Sequence, residues 1–375
     1  MNFNFKYDNL KEAIKLFDEM PMRDRDVVTW TSLIVGYAQK HFYNESLIGF
    51  QRMMMEGRSN EGIIPNGYTF SSALSACSGI QAVKQGKQIH CYVLTSGLLG
   101  SNLVVYNSLL HMYWSCGYNF YAQNLFNSVS VSGNIIAWNE MMLGYLQCGQ
   151  EEEALKLFVL MVSEVVVKPD NFSYAICIDA CGSLASLQQG SQIHACVLKT
   201  GFQLELIIMN ALVDMYAKCG CLDSAKIVFY ARPSKDRVFW TTLITALGKN
   251  GKVKEVLEMF EQMRNLKIQP DGITYLVVLS ACSHGGLVEQ GWQYFRSMTE
   301  DDLVPVSQKH CASMVDLLCR SGYLLQAFAF IKEMPLKPGI SIWSTFLGFC
   351  RMKGNIELAQ FAAEKLLELS PKNTA

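Results

Sequence analysis

Thirteen cysteines and six histidines are the side chains of this 375-residue sequence that could hold a metal, attack a substrate or activate water. Their spacing supports none of these. No C-x-x-C occurs, and no histidine has glutamate two residues on. The tightest cysteine pairs, Cys177/Cys181 and Cys219/Cys221, lack the matching second pair of a zinc site. No P-loop or dinucleotide fingerprint stands in a strand–helix setting. No cofactor is expected.

The elements that carry these residues explain their spacing. In the stretch 135–170, Trp138, Met141, Met142, Tyr145 and Leu146 form one apolar helical stripe, and Ala154, Leu157, Phe158 and Met161 form a second. Gly149 separates the stripes, Glu151–Glu153 suits a helix N-terminus, and Lys168-Pro169-Asp170 stops the second helix. A helix pair of this length cannot bury its apolar faces alone and needs stacked neighbours. Equivalent starts recur at Val27, Gly67, Leu103, Ile135, Asn171, Leu206, Arg237, Gly272, Gln308 and Ile340, with spacings between 31 and 40 residues. The widest spacing contains a polar insertion near Arg58–Gly62.

Three positions hold the register. Position 4 is aromatic except at Met209 and Cys311, position 15 is glycine in seven of the ten units, and position 20 is small except at Val256. Glycine at position 15 suits a turn needing positive φ, and a small residue at position 20 is expected to let the two helices of a unit approach. Cys77, Cys181, Cys282 and Cys350 fall at position 11, and Cys116, Cys148 and Cys219 at position 14. In equivalent packing sites they act as small hydrophobes. His90 and His194 share position 24, which favours helix packing over ligation. The stretch from Leu10 to Met20 reads as a second helix whose first helix is missing or partly present at Asn2–Tyr7.

Composition excludes several classes. Half of the residues are hydrophobic and 17% are charged, with a formal net charge of −1. No uninterrupted apolar run reaches the roughly 18 residues of a membrane span. The absence of a basic excess argues against binding duplex DNA mainly through phosphates. No signal peptide is visible, and scattered cysteines without a framework point to a reducing compartment.

In this register the units resemble pentatricopeptide repeats. The strings VVTWTSLIVGYAQ, LVVYNSLLHMYWSCG, IIMNALVDMYAKCGCLDSAKIVF and ITYLVVLSACSHGGLVEQGWQYF carry the resemblance. The long–long–short rhythm is similar to that of the plant subclass built of P, L and S units. On that pattern 27–66, 135–170 and 237–271 are P-like, 67–102, 171–205 and 272–307 are L-like, and 103–134, 206–236 and 308–339 are S-like. Residues 1–26 are a partial N-terminal repeat and 340–375 resemble the E1 motif that follows the last S unit.

The resemblance implies an all-α, right-handed α-solenoid superhelix of helix–turn–helix repeats that binds single-stranded RNA, one base per unit. Position 2 would clamp a base: Val28, Val104, Ile136, Ile207 and Val238, with Tyr68, Phe172 and Ile273 in the L-like units, while Lys309 departs from the apolar pattern. Position 5 would reach the Watson–Crick edge, supported by the last residue of the unit. A single strand exposes those edges and a duplex hides them. Asn139 with Asp170 and Asn210 with Asp236 resemble the uracil combination, where an amide both donates and accepts. Asn107 with Asn134 resembles a pyrimidine reader, Thr241 with Asp271 a guanine reader and Thr31 with Asn66 an adenine reader. Ser71/Asn102, Ala175/Glu205, Leu276/Ser307 and Ala312/Gly339 are weak or off-pattern. The expected target, 5′ to 3′, is A-N-(C/U)-U-N-U-G-N-N. Lys218, Lys249 and Arg320 share position 13 and are candidate phosphate contacts.

Fuller members of the subclass end in a zinc deaminase with His-x-Glu and Cys-x-x-Cys. Both motifs are missing here, so no enzymatic activity is expected of this chain. The resemblance implies a site-recognition factor for C-to-U editing in a plant mitochondrion or chloroplast, with a deaminase or accessory editing factor docking near 340–375 and no membrane contact. Splicing, processing or stabilisation of organelle transcripts is the alternative within the family. Outside it, a tetratricopeptide-like protein-binding scaffold shares the helix pairs but does not require the Asn/Thr and Asp/Asn pairs.

Overall fold

The computed structural model of the protein describes residues 10–21, 24–59, 63–128, 134–163, 167–300 and 304–369. Among these residues every regular element is a helix. Ten helices open at the ten unit starts, from Val27–Gln39 to Ile340–Met352, and a turn of two or three residues joins each to a second helix. The S-like units are short because their second helices lose a turn. Asn119–Ser128, Leu222–Ala231 and Leu324–Glu333 have 10 residues each, against 13 to 17 in the P-like and L-like units. The insertion near Arg58–Gly62 meets the end of the helix Tyr43–Ser59, with residues 60–62 outside the described ones. The partial first helix expected at Asn2–Tyr7 also lies outside the described residues, while Leu10–Glu19 is a helix packed on Val27–Gln39.

The chain divides into two compact units, 1–180 and 181–375. Within the first, Val27–Gln39 packs on Gly67–Gly79, and Gly67–Gly79 on Leu103–Ser115. Within the second, Leu206–Lys218, Arg237–Lys249, Gly272–Gly285, Gln308–Arg320 and Ile340–Met352 pack in series. The position 4 aromatics sit in these seams, Trp30, Tyr106 and Tyr275 being fully buried. The indole N–H groups of Trp30, Trp138 and Trp240 are buried and find no hydrogen-bond partner among the described residues. Each ring meets a phenylalanine at a steep angle, Phe17, Phe126 and Phe229, with centroids 4.6, 5.2 and 5.0 Å apart. Such edge-to-face contacts are attractive and offset part of the unpaired N–H.

The turn at position 15 is left-handed in all ten units, whichever residue fills it. Seven are glycine, and the other three are His41, Gln81 and Ala185, at φ of 63°, 56° and 50°. A side chain there crowds the following carbonyl, at a cost of roughly 1–2 kcal/mol. Glycine relieves that strain but gains freedom in the unfolded chain. Ala185→Gly is therefore expected to stabilise the protein by about 0.5–1 kcal/mol. A higher urea midpoint at unchanged slope would show it; an unmoved midpoint would mean that the turn is unstrained.

Position 20 works differently from the expectation in the L-like units. Ser46 does face its own first helix, donating its hydroxyl to the Ile34 carbonyl at 2.9 Å. The L-like glycines face the next unit instead. A Cβ on Gly86 would stand 2.5 Å from Met112 Sδ, one on Gly190 would stand 2.6 Å from Met215 Sδ, and one on Gly291 would collide with Leu317. Met112, Met215 and Leu317 all occupy position 10 of the following S-like unit. The same joint holds the histidines: His90 Nδ1 lies 2.8 Å from Tyr113 Oη, and His194 Nδ1 lies 2.8 Å from Tyr216 Oη. Burial pushes both imidazoles below their ordinary value. In the third joint Phe295 and Leu318 stand at these two positions, so the polar pair is replaced by an apolar one.

The cysteines divide by register. Cys77, Cys181, Cys282 and Cys350 are buried, and burial pushes the Cys77 and Cys282 thiols up to about 12 and Cys181 up to about 11. Thiols held protonated are poor nucleophiles. At position 14, Cys116 and Cys219 are half-buried, whereas Cys148 is exposed and is not a core residue. Its sulfur accepts from Asn119 Nδ2 at 3.0 Å.

Candidate nucleic-acid interface

The position 2 side chains are apolar, lie in the first turn of the first helices, and are not packed. Val28, Tyr68, Val104, Ile136 and Phe172 in the first compact unit, and Ile207, Val238 and Ile273 in the second, are between 37% and 72% exposed. Their neighbours at positions 3 and 4 are largely buried, so exposure here is a choice of helix face. Position 5, three residues on, lies on the same face. Thr31, Asn107, Asn139 and Asn210 are half-buried there, and Thr241 is buried. An apolar contact surface and a polar group therefore lie side by side on the first helices at 27–39, 103–115, 135–147, 206–218 and 237–249, but not at 171–183, 272–285 or 308–320, where position 5 is Ala175, Leu276 and Ala312.

The last residue of each unit is also the N-cap of the next first helix. The side chains of Asn66, Asn134, Asp236 and Asp271 accept the backbone N–H of Thr69, Ala137, Phe239 and Thr274 at 2.9–3.3 Å. Asp170 accepts from Ser173 N at 2.8 Å. Capping leaves one carboxylate oxygen or the amide nitrogen for other partners. It also accounts for Asn and Asp at these places independently of any ligand. The sequence signal for it, Asp or Asn directly before an apolar helical run, was present at every one of these junctions.

Position 5 and the last residue are linked in four of the five proposed reading pairs, directly in two and through one hydroxyl in two. Asn134 Nδ2 donates to Asn107 Oδ1 at 2.9 Å, and Asn139 Nδ2 to Asp170 Oδ1 at 3.2 Å. In the other two a hydroxyl from the following unit stands between them. Thr31 Oγ1 lies 2.7 Å from Thr69 Oγ1, which lies 3.0 Å from Asn66 Oδ1. Thr241 Oγ1 lies 2.7 Å from Thr274 Oγ1, which donates to Asp271 Oδ1 at 2.8 Å. The fifth pair is not joined. Asn210 Oδ1 accepts from Thr242 Oγ1 at 3.2 Å, and among the described residues no hydrogen bond links it to Asp236. The residue that would bridge them is Phe239, which has no polar group. In the L-like unit 67–102, Ser71 Oγ pairs with Ser108 Oγ at 2.8 Å while Asn102 caps Val104 and Val105.

The position 13 bases are differently placed from one another. Lys218 Nζ pairs with Asp214 at 2.7 Å and Arg320 Nε with Asp316 at 2.8 Å, both one helical turn back. Those carboxylates offset their charge. Lys249 is exposed and makes no ion pair among the described residues.

Comparison with known proteins agrees with this repeat. The PPR repeat family matches residues 133–183 and 235–284, and the PPR repeat matches 2–24, 28–58, 207–230, 273–303 and 310–337. A mitochondrial pentatricopeptide repeat-containing protein of Arabidopsis thaliana is 37% identical over 366 residues, covering 97% of this chain and 46% of the relative. A chloroplastic one from the same plant is 38% identical over 368 residues, covering 98% and 42%. The chain spans about half the length of the relatives it matches. Among solved structures, the pentatricopeptide repeat protein PPR10 in complex with an 18-nt psaJ RNA element superposes with a TM-score of 0.78 at 19% identity, over 99% of this chain and 54% of that one. PPR10 from maize alone gives 0.54 at 18% identity, over 100% of this chain and 63% of that one. These likenesses establish the fold as an all-α solenoid of helix pairs. With repeat matches along more than half of the sequence and relatives aligned over nearly all of it, the chain belongs to the pentatricopeptide repeat family.

Proposed function

We propose that this chain binds single-stranded RNA by sequence in a plant mitochondrion or chloroplast, and serves as the site-recognition factor for C-to-U editing with a deaminase acting in trans. The observation that carries the RNA reading is the alternation of exposed apolar position 2 side chains with hydrogen-bonded position 5 groups on the same helix face. A packing role would bury position 2, and a peptide groove would not need polar groups tied to the unit ends. The mitochondrial and chloroplastic relatives support the organelle, and the E1-like segment 340–375 is the part assigned to docking a deaminase or an accessory editing factor.

The test has two parts. Electrophoretic shifts with A-N-(C/U)-U-N-U-G-N-N RNA, and with the G changed to C, are expected to differ by about tenfold in affinity, the worth of one to two hydrogen bonds. Equal affinity would overturn the assigned reading. Transcript sequencing from a plant line lacking the protein is expected to show loss of editing at a cytidine a few nucleotides 3′ of that sequence. Intact editing with altered splicing or transcript ends would move the function to RNA processing.

A further inference from the structure

The three P-like units share a feature absent from the S-like ones. The residue at position 3 of the unit that follows each P-like unit carries a hydroxyl: Thr69, Ser173 and Thr274. After the S-like units the same position holds Ala137, Phe239 and Ile342. All three hydroxyl residues are fully buried, and each hydroxyl touches both members of the preceding reading pair.

Asp271 is a carboxylate and can only accept. It takes the Thr274 hydroxyl at 2.8 Å and the Thr274 backbone N–H at 2.9 Å. The Thr274 proton is thus used, and its lone pairs face Thr241 Oγ1 at 2.7 Å. Thr241 has one proton, and its two inward acceptors are Thr274 Oγ1 and the Arg237 carbonyl at 2.9 Å. With either one, Thr241 presents only lone pairs outward. A base edge facing it must donate, as guanine N1–H does and adenine N1 does not.

The unit 27–66 has the same relay with a neutral end. Asn66 Oδ1 lies 3.0 Å from Thr69 Oγ1, while Thr31 Oγ1 is closer, at 2.7 Å. A neutral amide oxygen competes for the proton about half as strongly as a carboxylate. The Thr69 proton can go to Thr31, and Thr31 keeps its own proton to donate outward, as adenine N1 requires. In 135–170 Asn139 Nδ2 donates to Asp170 Oδ1 directly at 3.2 Å, so the carboxylate is already served, and the single Ser173 proton goes to the nearer Asn139 Oδ1 at 2.7 Å rather than to Asp170 Oδ1 at 2.9 Å; the amide is pinned with one N–H and one lone pair facing out.

We propose that Thr69, Ser173 and Thr274 are specificity-positioning residues, whose hydroxyls transmit the charge of the last residue to the base-facing group and so set whether that group donates or accepts. This rests on the RNA-binding reading above. These residues do not contact the base in the proposal; they act through position 5.

Thr274→Val keeps the shape and removes the hydroxyl, and Thr274→Ser restores it. Full-length chain carrying each change is titrated by fluorescence anisotropy with two RNAs that differ only in G or A opposite 237–271. The unsubstituted chain is expected to prefer G by about tenfold. Thr274→Val should bring that ratio within about threefold, since the Arg237 carbonyl is then the one inward acceptor left among the described residues and an adenine N1 outside competes with it for the Thr241 proton, and Thr274→Ser should recover the ratio. Thr69→Val should narrow the A-over-G preference opposite 27–66 and leave the preference opposite 237–271 intact. The inference is overturned if Thr274→Val retains the tenfold ratio. It is equally overturned if both valine variants lose discrimination together with melting temperature and serine does not restore it, because the effect is then structural. Equal binding of G and A by the unsubstituted chain would instead remove the RNA-reading assignment.

Discussion

Gly190→Val is expected to cost the protein about 3 kcal/mol, and Met215→Ala in the same chain to recover much of that loss. The Cβ of any side chain at 190 would lie 2.6 Å from Met215 Sδ and 2.9 Å from its Cε, well inside contact distance. The helix Leu187–Thr200 would itself prefer another residue, since glycine inside a helix is unfavourable by roughly 0.8–1 kcal/mol relative to alanine. Its presence therefore reflects the thioether seated against it. Met215→Ala alone should cost about 2–4 kcal/mol, because Met215 is fully buried and leaves a cavity. In the double variant the valine fills part of that cavity. Urea unfolding of the four proteins should give a coupling of about 1–3 kcal/mol. Additive losses would mean that Gly190 and Met215 do not share one site.

This pairing recurs at Gly86 with Met112 and at Gly291 with Leu317, always an L-like unit meeting the S-like unit that follows. It gives the three-unit rhythm a physical cause. Each L-like second helix is notched where an S-like first helix carries a large side chain at position 10. In the P-like and L-like units that position holds Gly36, Ala76, Gly144, Ala180, Ala246 and Ala281. A change of unit order would set large residues against serine, alanine or valine at position 20.

The helix pairs were readable from the sequence because each helix is amphipathic and each turn tends to carry glycine. What escaped was whatever needed two units to exist. The glycines at position 20 look like a way to bring a unit's own helices together, and only the next unit shows the methionine they admit. The histidines at position 24 find their tyrosines 22 and 23 residues on. The unit-end Asp and Asn carry a cap signal that a base-reading role concealed. Most tellingly, Ser173 and Thr274 lie in two L-like units whose own position 5 residues, Ala175 and Leu276, are off-pattern, so nothing local marks them as part of the proposed reading sites. Exposure of position 2 was legible only through the family resemblance, because periodicity alone takes an apolar residue within an apolar helix as packed.

Asn139→Thr tests the reading site with the protein as its own template. The units 135–170 and 237–271 both end in Asp and are both followed by a buried hydroxyl at position 3, Ser173 or Thr274. Their reading positions differ at position 5. Ser173 Oγ, like Thr274 Oγ1, is within hydrogen-bond reach of both the last residue and position 5, so an introduced hydroxyl has a partner of the same kind beside it. The amide offers a base one donor and one acceptor, which suits uracil. The hydroxyl, with its proton drawn inward, offers only an acceptor, which suits guanine N1–H. Asn and Thr have similar helix propensities and the site is half-buried, so stability should move by no more than about 0.5 kcal/mol. Binding to RNA with uracil opposite this unit should weaken by about tenfold and binding to guanine should strengthen by a similar factor, a swing of about a hundredfold in the ratio. Anisotropy titrations with four RNAs differing at that nucleotide measure it. An equal loss for all four bases would mean that Asn139 shapes the helix face without reading it, and an unchanged uracil preference would place the reading group elsewhere in the unit.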